Sequence, residues 1–165
     1  MARGLATAAT IAPAPGTTTR QYLNQVGMAL VSSVGGASGP LYGTFFLRVG
    51  QLWQSPHTVS SIWQALKAGR DGIASRGRAK AGDKTMLDAL CPAIQVLEHA
   101  AMERDEDAAT TLTRAAAAAQ AGAEATRGMR ARRGRAAHFG ERSVGHLDPG
   151  AVSMAMILDS ASRHL

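Results

Sequence analysis

The sequence has few aromatic residues, one cysteine and no long apolar run. Phenylalanine, tryptophan and tyrosine together make up 4% of its 165 residues, so a folded core must consist mainly of Ala, Leu, Val, Ile and Met. The single cysteine, Cys91, excludes an internal disulfide and fits a reducing cytoplasm, where we expect the protein to be located. No apolar segment reaches the about 20 residues that span a membrane, so we expect no membrane partner.

Signals for β-strands are also missing, because the sequence has neither alternating apolar runs nor Asn-Gly hairpin turns. Apolar residues recur at helical spacing instead, as at Leu23, Val26 and Leu30. We predict an all-α fold in a single domain, residues 1–165, with about six or seven helices. The predicted helices cover about 18–33, 40–54, 58–74, 83–102, 107–132 and 148–158, with a further short helix in 1–9.

Local signals place the helix ends. Thr17 or Thr18, Thr58, Asp83 and Asp148 are the predicted N-caps. Pro92 lies inside the apolar pattern of its helix, so we expect a kink or break at Ala89 to Cys91. The Ala-rich helix is expected to continue to about Arg132 because alanine is the strongest helix former.

A glycine turn at Gly35–Gly36 leads into a helix start at Ser38–Pro40. Free N–H groups at a helix N-terminus behind glycines form an anion site. No Gly-Lys-Ser/Thr follows these glycines, so the turn is not a Walker A loop. A tight helix–helix turn, with small residues for close packing, explains the same composition, and both interpretations stay open.

The net charge of +6 favours an anionic partner: a nucleotide, a nucleic acid or an acidic protein. Arg127, Arg130, Arg132 and Arg133 are most simply a solvated helix end. Arg135 and Arg142 lie among glycines beyond that end, where phosphate binding is the open alternative. Proteins that bind single-stranded nucleic acid place aromatic residues beside such charge, and only Phe139 lies near it, so we expect no nucleic-acid partner.

Three sequence blocks follow one another along the chain. They read Ser-Ser-Val-Gly-Gly-Ala-Ser-Gly-Pro-Leu-Tyr-Gly-Thr-Phe-Phe (Ser32–Phe46), Gly-Asp-Lys-Thr-Met (Gly82–Met86), and Gly-Arg-Ala followed by Gly-Glu-Arg-Ser-Val-Gly-His-Leu-Asp-Pro-Gly-Ala (within Gly134–Ala151). Together they resemble the nucleotide-binding L subunit, or L domain, of dihydroxyacetone kinases. The resemblance implies an antiparallel barrel of helices that binds ADP or ATP and two magnesium ions at one end. By the same resemblance, we expect the first helix of that barrel to be missing here.

The resemblance assigns eight residues to the nucleotide. In chain order they are Ala37, Ser38, Gly77, Met86, Arg135, Asp148, Pro149 and Gly150. It implies that the first two meet the phosphates, the next two line the nucleoside pocket, and the last three close the site. Arg135 would approach the phosphates and is the one expected catalytic residue. We predict that the three loops meet at one end of the helical bundle.

The expected metal ligands are absent from the sequence. The family holds its magnesium with acids in a Gly-Asp-x-Asp-His-Gly segment that ends in Asn-Met-x-Arg-Gly, and Met1–Gly4 matches only that last part. We therefore assign no residue of this chain to a metal. A start site assigned too late, or a truncated chain, is the expected reason, and we expect the chain to be inactive alone.

The resemblance implies the phosphoryl-transferring subunit of a dihydroxyacetone, or glycerone, kinase. The phosphotransferase-linked type is favoured, in which ADP stays bound and a phosphoprotein, the M subunit, recharges it. The implied partners are a K subunit that holds the sugar and the M subunit, with a homodimer left open. The alternative is a non-catalytic α-helical interaction protein that keeps the fold but cannot bind magnesium-nucleotide.

Overall fold

In the computed structural model, all regular structure within the described residues, 10–103 and 107–164, is helical, which confirms the all-α prediction. The helices are α1 (Thr19–Ser33), α2 (Ser38–Leu52), α3 (Val59–Gly77), α4 (Leu87–Glu103), α5 (Ala108–Ala125) and α6 (Pro149–Ser162). Two 3₁₀ segments, Thr126–Gly128 and Arg135–Ser143, separate α5 from α6. The helix expected in 1–9 lies outside the described residues. Within the described part, no helix is both long and apolar enough to cross a membrane.

The chain forms two compact units. The first contains the residues up to Ser55 together with Gln64–Arg78, and the second contains Pro56–Trp63 and the residues from Ala79 onward.

In the first unit, α1 and α2 are antiparallel. Gly27 of α1 lies against Gly43 of α2, whereas Leu23, one turn earlier, lies against Gly50, further along α2. A Cβ on Gly43 would come within 2.7 Å of the Gly27 carbonyl oxygen, so the two backbones approach as closely as glycine allows. The buried apolar side chains of this unit include Leu30, Tyr42, Phe45, Val49 and Ile73.

In the second unit, α4 packs against α5, and α5 packs against α6. Leu90, Ile94, Leu97, Leu112 and Met154 are buried there. α4 continues through Pro92, so the break, one of the two expected outcomes there, is wrong. Pro92 cannot donate to the Asp88 carbonyl four residues earlier. Gly122 of α5 lies against that carbonyl, and a Cβ at residue 122 would be 2.2 Å from its oxygen.

Three of the predicted N-caps are confirmed. Thr18 accepts a hydrogen bond from the Gln21 backbone N–H, and the Gln21 side chain accepts one from Thr18, which completes a capping box. Thr58 accepts from the Ser61 N–H at 3.2 Å. Asp148 accepts from the Ala151 N–H at 2.7 Å, with Pro149 in the first turn of α6.

Four expected helix bounds are wrong, two of them because α3 ends at Gly77 rather than near 74 and α6 ends at Ser162 rather than near 158. α4 begins at Leu87 rather than near Asp83, because the Asp83 carboxylate accepts from the Lys80 N–H and closes the preceding loop. α5 ends at Ala125 rather than near Arg132. The buried hydroxyl of Thr126 donates to the Ala123 carbonyl at 2.6 Å, and the chain then leaves the helix axis through a 3₁₀ turn.

Candidate functional site

The turn between α1 and α2 depends on two glycines. Gly36 has φ 71°, in the left-handed region that favours glycine. A Cβ on Gly39 would lie 2.2 Å from the Val34 carbonyl oxygen. Ala37 is the N-cap of α2, and no side chain caps this helix start. The turn is therefore compact, and the start of α2 offers uncapped N–H groups of the kind that bind anions. The close packing of its glycines fits the alternative of a tight helix–helix turn equally well.

The loop from Ala79 to Met86 is closed by two buried carboxylates. Asp83 accepts from the Lys80 N–H at 3.0 Å. Asp88, in the first turn of α4, accepts from the N–H groups of Gly82 and Thr85, the latter at 2.7 Å. Gly82 has φ 88° and Lys84 has φ 61°. These carboxylates hold a loop with two residues in the left-handed conformation, one of which is not glycine.

Lys84 joins this loop to the segment that follows α5. Its side chain is buried, with 3% exposed, and its ammonium donates to the carbonyls of Met129, at 3.0 Å, and Ser143. The backbone adds a further contact, since the Arg132 N–H donates to the Asp83 carbonyl at 3.0 Å. The second and third predicted loops thus meet within the second unit.

Ser143 closes the third loop from inside. Its buried hydroxyl accepts from the Ala131 N–H at 2.9 Å and donates to the Gly140 carbonyl at 2.6 Å. Gly134 has φ 67° and Gly140 has φ 55°, so a glycine turn stands before Arg135 and another within the 3₁₀ segment. Residues 134–143 therefore form a defined turn structure.

The start of α6 lies against Met86. A Cβ on Gly150 would be 3.4 Å from the Met86 backbone nitrogen, an ordinary contact distance, and 2.9 Å from Asp148 Oδ2, which would have to shift. Burial raises the pKa of the Asp148 carboxyl above its usual value, as does the charge of Asp88, while the Lys84 ammonium acts in the opposite direction. Asp148, Asp88 and Lys84 therefore form one electrostatic cluster.

Most arginines around the third loop have acidic or aromatic neighbours. Arg127 pairs with Glu124 at 2.7 Å, and Arg130 pairs with Glu141 at 2.9 Å. The Arg142 guanidinium lies 5.7 Å from the Phe139 ring centroid. The predicted helix end is wrong, because α5 stops before all four of these arginines, although each is exposed as expected: Arg127, Arg130, Arg132 and Arg133. Arg133 lies 3.9 Å from the Asp83 carboxylate instead.

The predicted site residues fall into two groups. Met86, Asp148 and Gly150 are brought together in the second unit, where Pro149 and Arg135 are exposed at the starts of α6 and of the second 3₁₀ segment. Ala37, Ser38 and Gly77 belong to the first unit. Ser38 is the first residue of α2, and Gly77 is the half-buried last residue of α3.

Sequence reasoning missed Asp88, Lys84 and Thr126 as residues that shape this region. A signal for Asp88 exists in Thr85-Met86-Leu87-Asp88, which matches the Ser/Thr-x-x-acid pattern at helix starts. The Thr85 N–H does bond the Asp88 carboxylate. Lys84 and Thr126 act over long sequence separations, for which no local signal exists.

The described residues contain no group of three histidine, cysteine or acidic side chains placed to hold a metal ion. Asp88 and Asp148 are close enough for their charges to interact, but backbone N–H groups and a helix start already use their oxygens. These residues do not fit a magnesium site, and we assign no metal ligand among them.

The chain is similar to known proteins over nearly its whole length. The family model described as the DAK2 domain matches residues 1–163. The ADP-binding subunit DhaL of the PEP-dependent dihydroxyacetone kinase of Escherichia coli (strain K12) is 44% identical over 82% of this chain and 65% of that protein. L-erythrulose 1-kinase of Mycolicibacterium smegmatis is 38% identical over 99% of this chain and 28% of that protein. The chain thus spans less than two thirds of these relatives.

Solved structures show the same fold. The dihydroxyacetone kinase of C. freundii in its native form matches 89% of this chain and 24% of its own, with a TM-score of 0.64 and 29% identity. The structure of the C. freundii kinase in complex with AMP-PNP and Mg²⁺ matches 89% of this chain and 23% of its own, with a TM-score of 0.60 and 30% identity.

Proposed function

The chain belongs to the DAK2 domain family, and we propose that it is the nucleotide-binding, phosphoryl-transferring part of a dihydroxyacetone kinase. We favour the phosphotransferase-linked type, with ADP as the bound cofactor. The observation that carries the proposal is the similarity to an ADP-binding kinase subunit across most of the chain. The compact turn before α2 and the contact between Met86 and the start of α6 support it.

Each group of residues has a task in this proposal. The uncapped start of α2, at Ala37 and Ser38, binds phosphate oxygens through backbone N–H groups. Gly77 and Met86 are each assigned to the nucleoside, and Asp148, Pro149 and Gly150 are assigned to the border of the site at the start of α6. Arg135 is exposed and places a positive charge near the transferred phosphoryl group, which suits a reaction that depends on positioning and charge neutralisation.

Magnesium is the second proposed cofactor. When bound, it neutralises phosphate charge that the protein's arginines and helix N-termini neutralise only in part. No residue of the described part is assigned to hold it.

The proposed partners follow from the task. A K-type subunit presents the keto-sugar as phosphoryl acceptor, and a phosphoprotein of the phosphotransferase type returns phosphoryl groups to the bound ADP. In this scheme the nucleotide remains on this chain through many cycles.

Calorimetric titration with ADP, with and without magnesium, tests the proposal. We expect ADP to bind, and adenosine to bind at least about ten-fold more weakly because it has no phosphates for the start of α2 and Arg135 to contact. A protein that binds neither ligand would be the non-catalytic helical interaction protein instead. Equal affinities for both would reject the assignment of phosphate binding.

Phosphoryl transfer is tested in a mixture of this protein, a K-type subunit with dihydroxyacetone, and the phosphorylated M-type protein. Dihydroxyacetone phosphate should not form when any one of the three proteins, or ADP, is left out. Turnover that needs free ATP and does not need the phosphoprotein would favour an ATP-dependent kinase.

A further inference from the structure

The Lys84 ammonium holds both ends of the segment that carries Arg135. One acceptor, the Met129 carbonyl, lies before Arg135 in the chain, and the other, the Ser143 carbonyl, lies after it. This ammonium therefore closes the base of the segment 129–143 together with the hydrogen bond from the Ala131 N–H to the Ser143 hydroxyl. An ammonium with three donors suits this task, because it can serve several carbonyls from one point.

The segment is also held by the ion pair between Arg130 and Glu141, at 2.9 Å, and by backbone contacts within it and beside it. The Arg132 N–H bonds the Asp83 carbonyl, and the Gly145 N–H bonds the Arg127 carbonyl at 2.8 Å. Arg135 itself is exposed, and its place is set by the turn at Gly134 and by the 3₁₀ segment that follows. Its position thus depends on how firmly residues 129 and 143 are held together.

The backbone conformation of Lys84 is unfavourable for lysine, which indicates that the ammonium group is needed at this position. Lys84 has φ 61°, a region that costs a lysine backbone about 1 kcal/mol or more. Glycine would fit this backbone without strain, yet the position holds a long cation whose burial is itself costly unless it is hydrogen-bonded. The two carbonyl contacts provide that compensation.

From these observations, and resting on the proposed function, we infer that Lys84 is a positioning residue for the phosphoryl-transfer site. Its ammonium orders the segment 129–143 and so places Arg135 for the nucleotide phosphates. The same cation lies within electrostatic range of Asp148 at the start of α6. Lys84 thus connects the loop before α4, the segment that carries Arg135 and the start of α6.

A double-mutant cycle measures this role. Lys84→Met keeps the apolar stem and removes the donors, while Arg135→Ala removes the phosphate contact. We expect Arg135→Ala to weaken ADP binding about ten-fold in the wild type and less than about three-fold in the Lys84→Met background. A lysine with only a general structural role would leave the Arg135→Ala effect the same in both backgrounds, which would overturn the inference.

Hydrogen exchange provides a readout that does not depend on the nucleotide. We expect the amides of residues 135–142 to exchange at least about ten-fold faster in Lys84→Met than in the wild type, with little change in α5 and α6. Lys80→Met is the matched control, because Lys80 lies exposed in the same loop, and its protection pattern should equal that of the wild type. Unchanged exchange in Lys84→Met would reject the inference.

The outcomes separate the two proposals. A wild type that binds ADP, with no coupling between Lys84 and Arg135, rejects the positioning role and leaves the proposed function standing. A wild type that does not bind ADP rejects both. If Lys84→Met does not fold, Lys84→Gln, which keeps a neutral donor, replaces it in the same cycle, and failure of both variants to fold would assign Lys84 to folding instead.

Discussion

The side-chain hydroxyl of Thr126 accepts a hydrogen bond from the backbone N–H of Asp148 at 2.9 Å. The same hydroxyl donates to the Ala123 carbonyl, so one buried side chain ends α5 and fixes the residue that caps α6. Thr126 is completely buried. The position of Asp148 is therefore set from the end of a different helix, 22 residues earlier in the chain.

The first prediction concerns this contact. Thr126→Val keeps the shape of the side chain and removes the hydroxyl, so the Asp148 N–H and the Ala123 carbonyl lose a partner. We expect the free energy of unfolding to fall by about 1–3 kcal/mol, the cost of leaving such groups unsatisfied. Urea unfolding monitored by circular dichroism measures it.

Thr113→Val is the matched control in the same helix. Thr113 is exposed, and its hydroxyl donates to the Ala109 carbonyl on the helix surface at 3.0 Å. We expect a change within about 0.5 kcal/mol. Equal losses of stability in the two variants would show that the Thr126 contact has no special effect.

The second prediction concerns the turn before α2. Gly39→Ala would place a Cβ 2.2 Å from the Val34 carbonyl oxygen and 2.8 Å from that of Leu30. Both atoms are backbone and cannot turn aside, so we expect a loss of about 1–3 kcal/mol in the free energy of unfolding, as for other overpacked sites. Gly35→Ala is the control, because a Cβ there meets nothing within 4 Å. A Gly39→Ala protein as stable as Gly35→Ala would contradict the close packing of this turn.

Helix starts could be predicted from the sequence because their signals are local. The Thr18–Gln21 capping box and the Asp148-Pro149 start are each contained within a few residues. The end of α5 at Ala125 could not be predicted from the Ala-rich sequence before Arg132. Thr126, which ends the helix, does so together with Asp148, which is distant in the sequence.

In the candidate site, too, some contacts could be predicted from the sequence and others could not. The contact between Gly150 and Met86 joins two blocks that the resemblance had already connected. The role of Lys84 was not predicted, since its partner Ser143 is 59 residues away. A lysine in a basic loop would also be expected to be exposed to solvent. Asp83 was placed at the helix start in error, because Asp88 and Thr85 carry the stronger local signal.

The third prediction concerns the pH dependence of stability. Burial, and then the charge of Asp88, raise the pKa of Asp148 above its usual value of 3.8. The folded protein therefore binds this proton more tightly than the unfolded chain does. The stabilisation from this group is fully present below pH 3.8 and is lost as the pH rises through the raised folded-state pKa.

Asp148→Asn removes the titration and keeps a good N-cap. We expect the stability of the wild type relative to Asp148→Asn to decrease as the pH is raised from below 3.8 towards neutrality. Asp107→Asn, at the N-cap of α5, is a control of opposite sign, because hydrogen bonds, first from the Thr110 side chain, lower the pKa of Asp107. Urea unfolding at a series of pH values measures both differences, and the same slope for the two variants would contradict the assignment.

The fourth prediction concerns Arg135 and assumes the proposed nucleotide site. Arg135→Ala should weaken ADP binding by about 1–3 kcal/mol, because hydrogen bonds to charged groups have about this strength. Arg163→Ala removes an equal charge at the other end of α6 from Asp148, about 20 Å away at 1.5 Å per residue, and should leave ADP affinity unchanged. Calorimetry on the two variants separates a direct phosphate contact from a general effect of net charge. If both variants lose affinity equally, the net charge of +6 attracts the nucleotide and Arg135 has no special role.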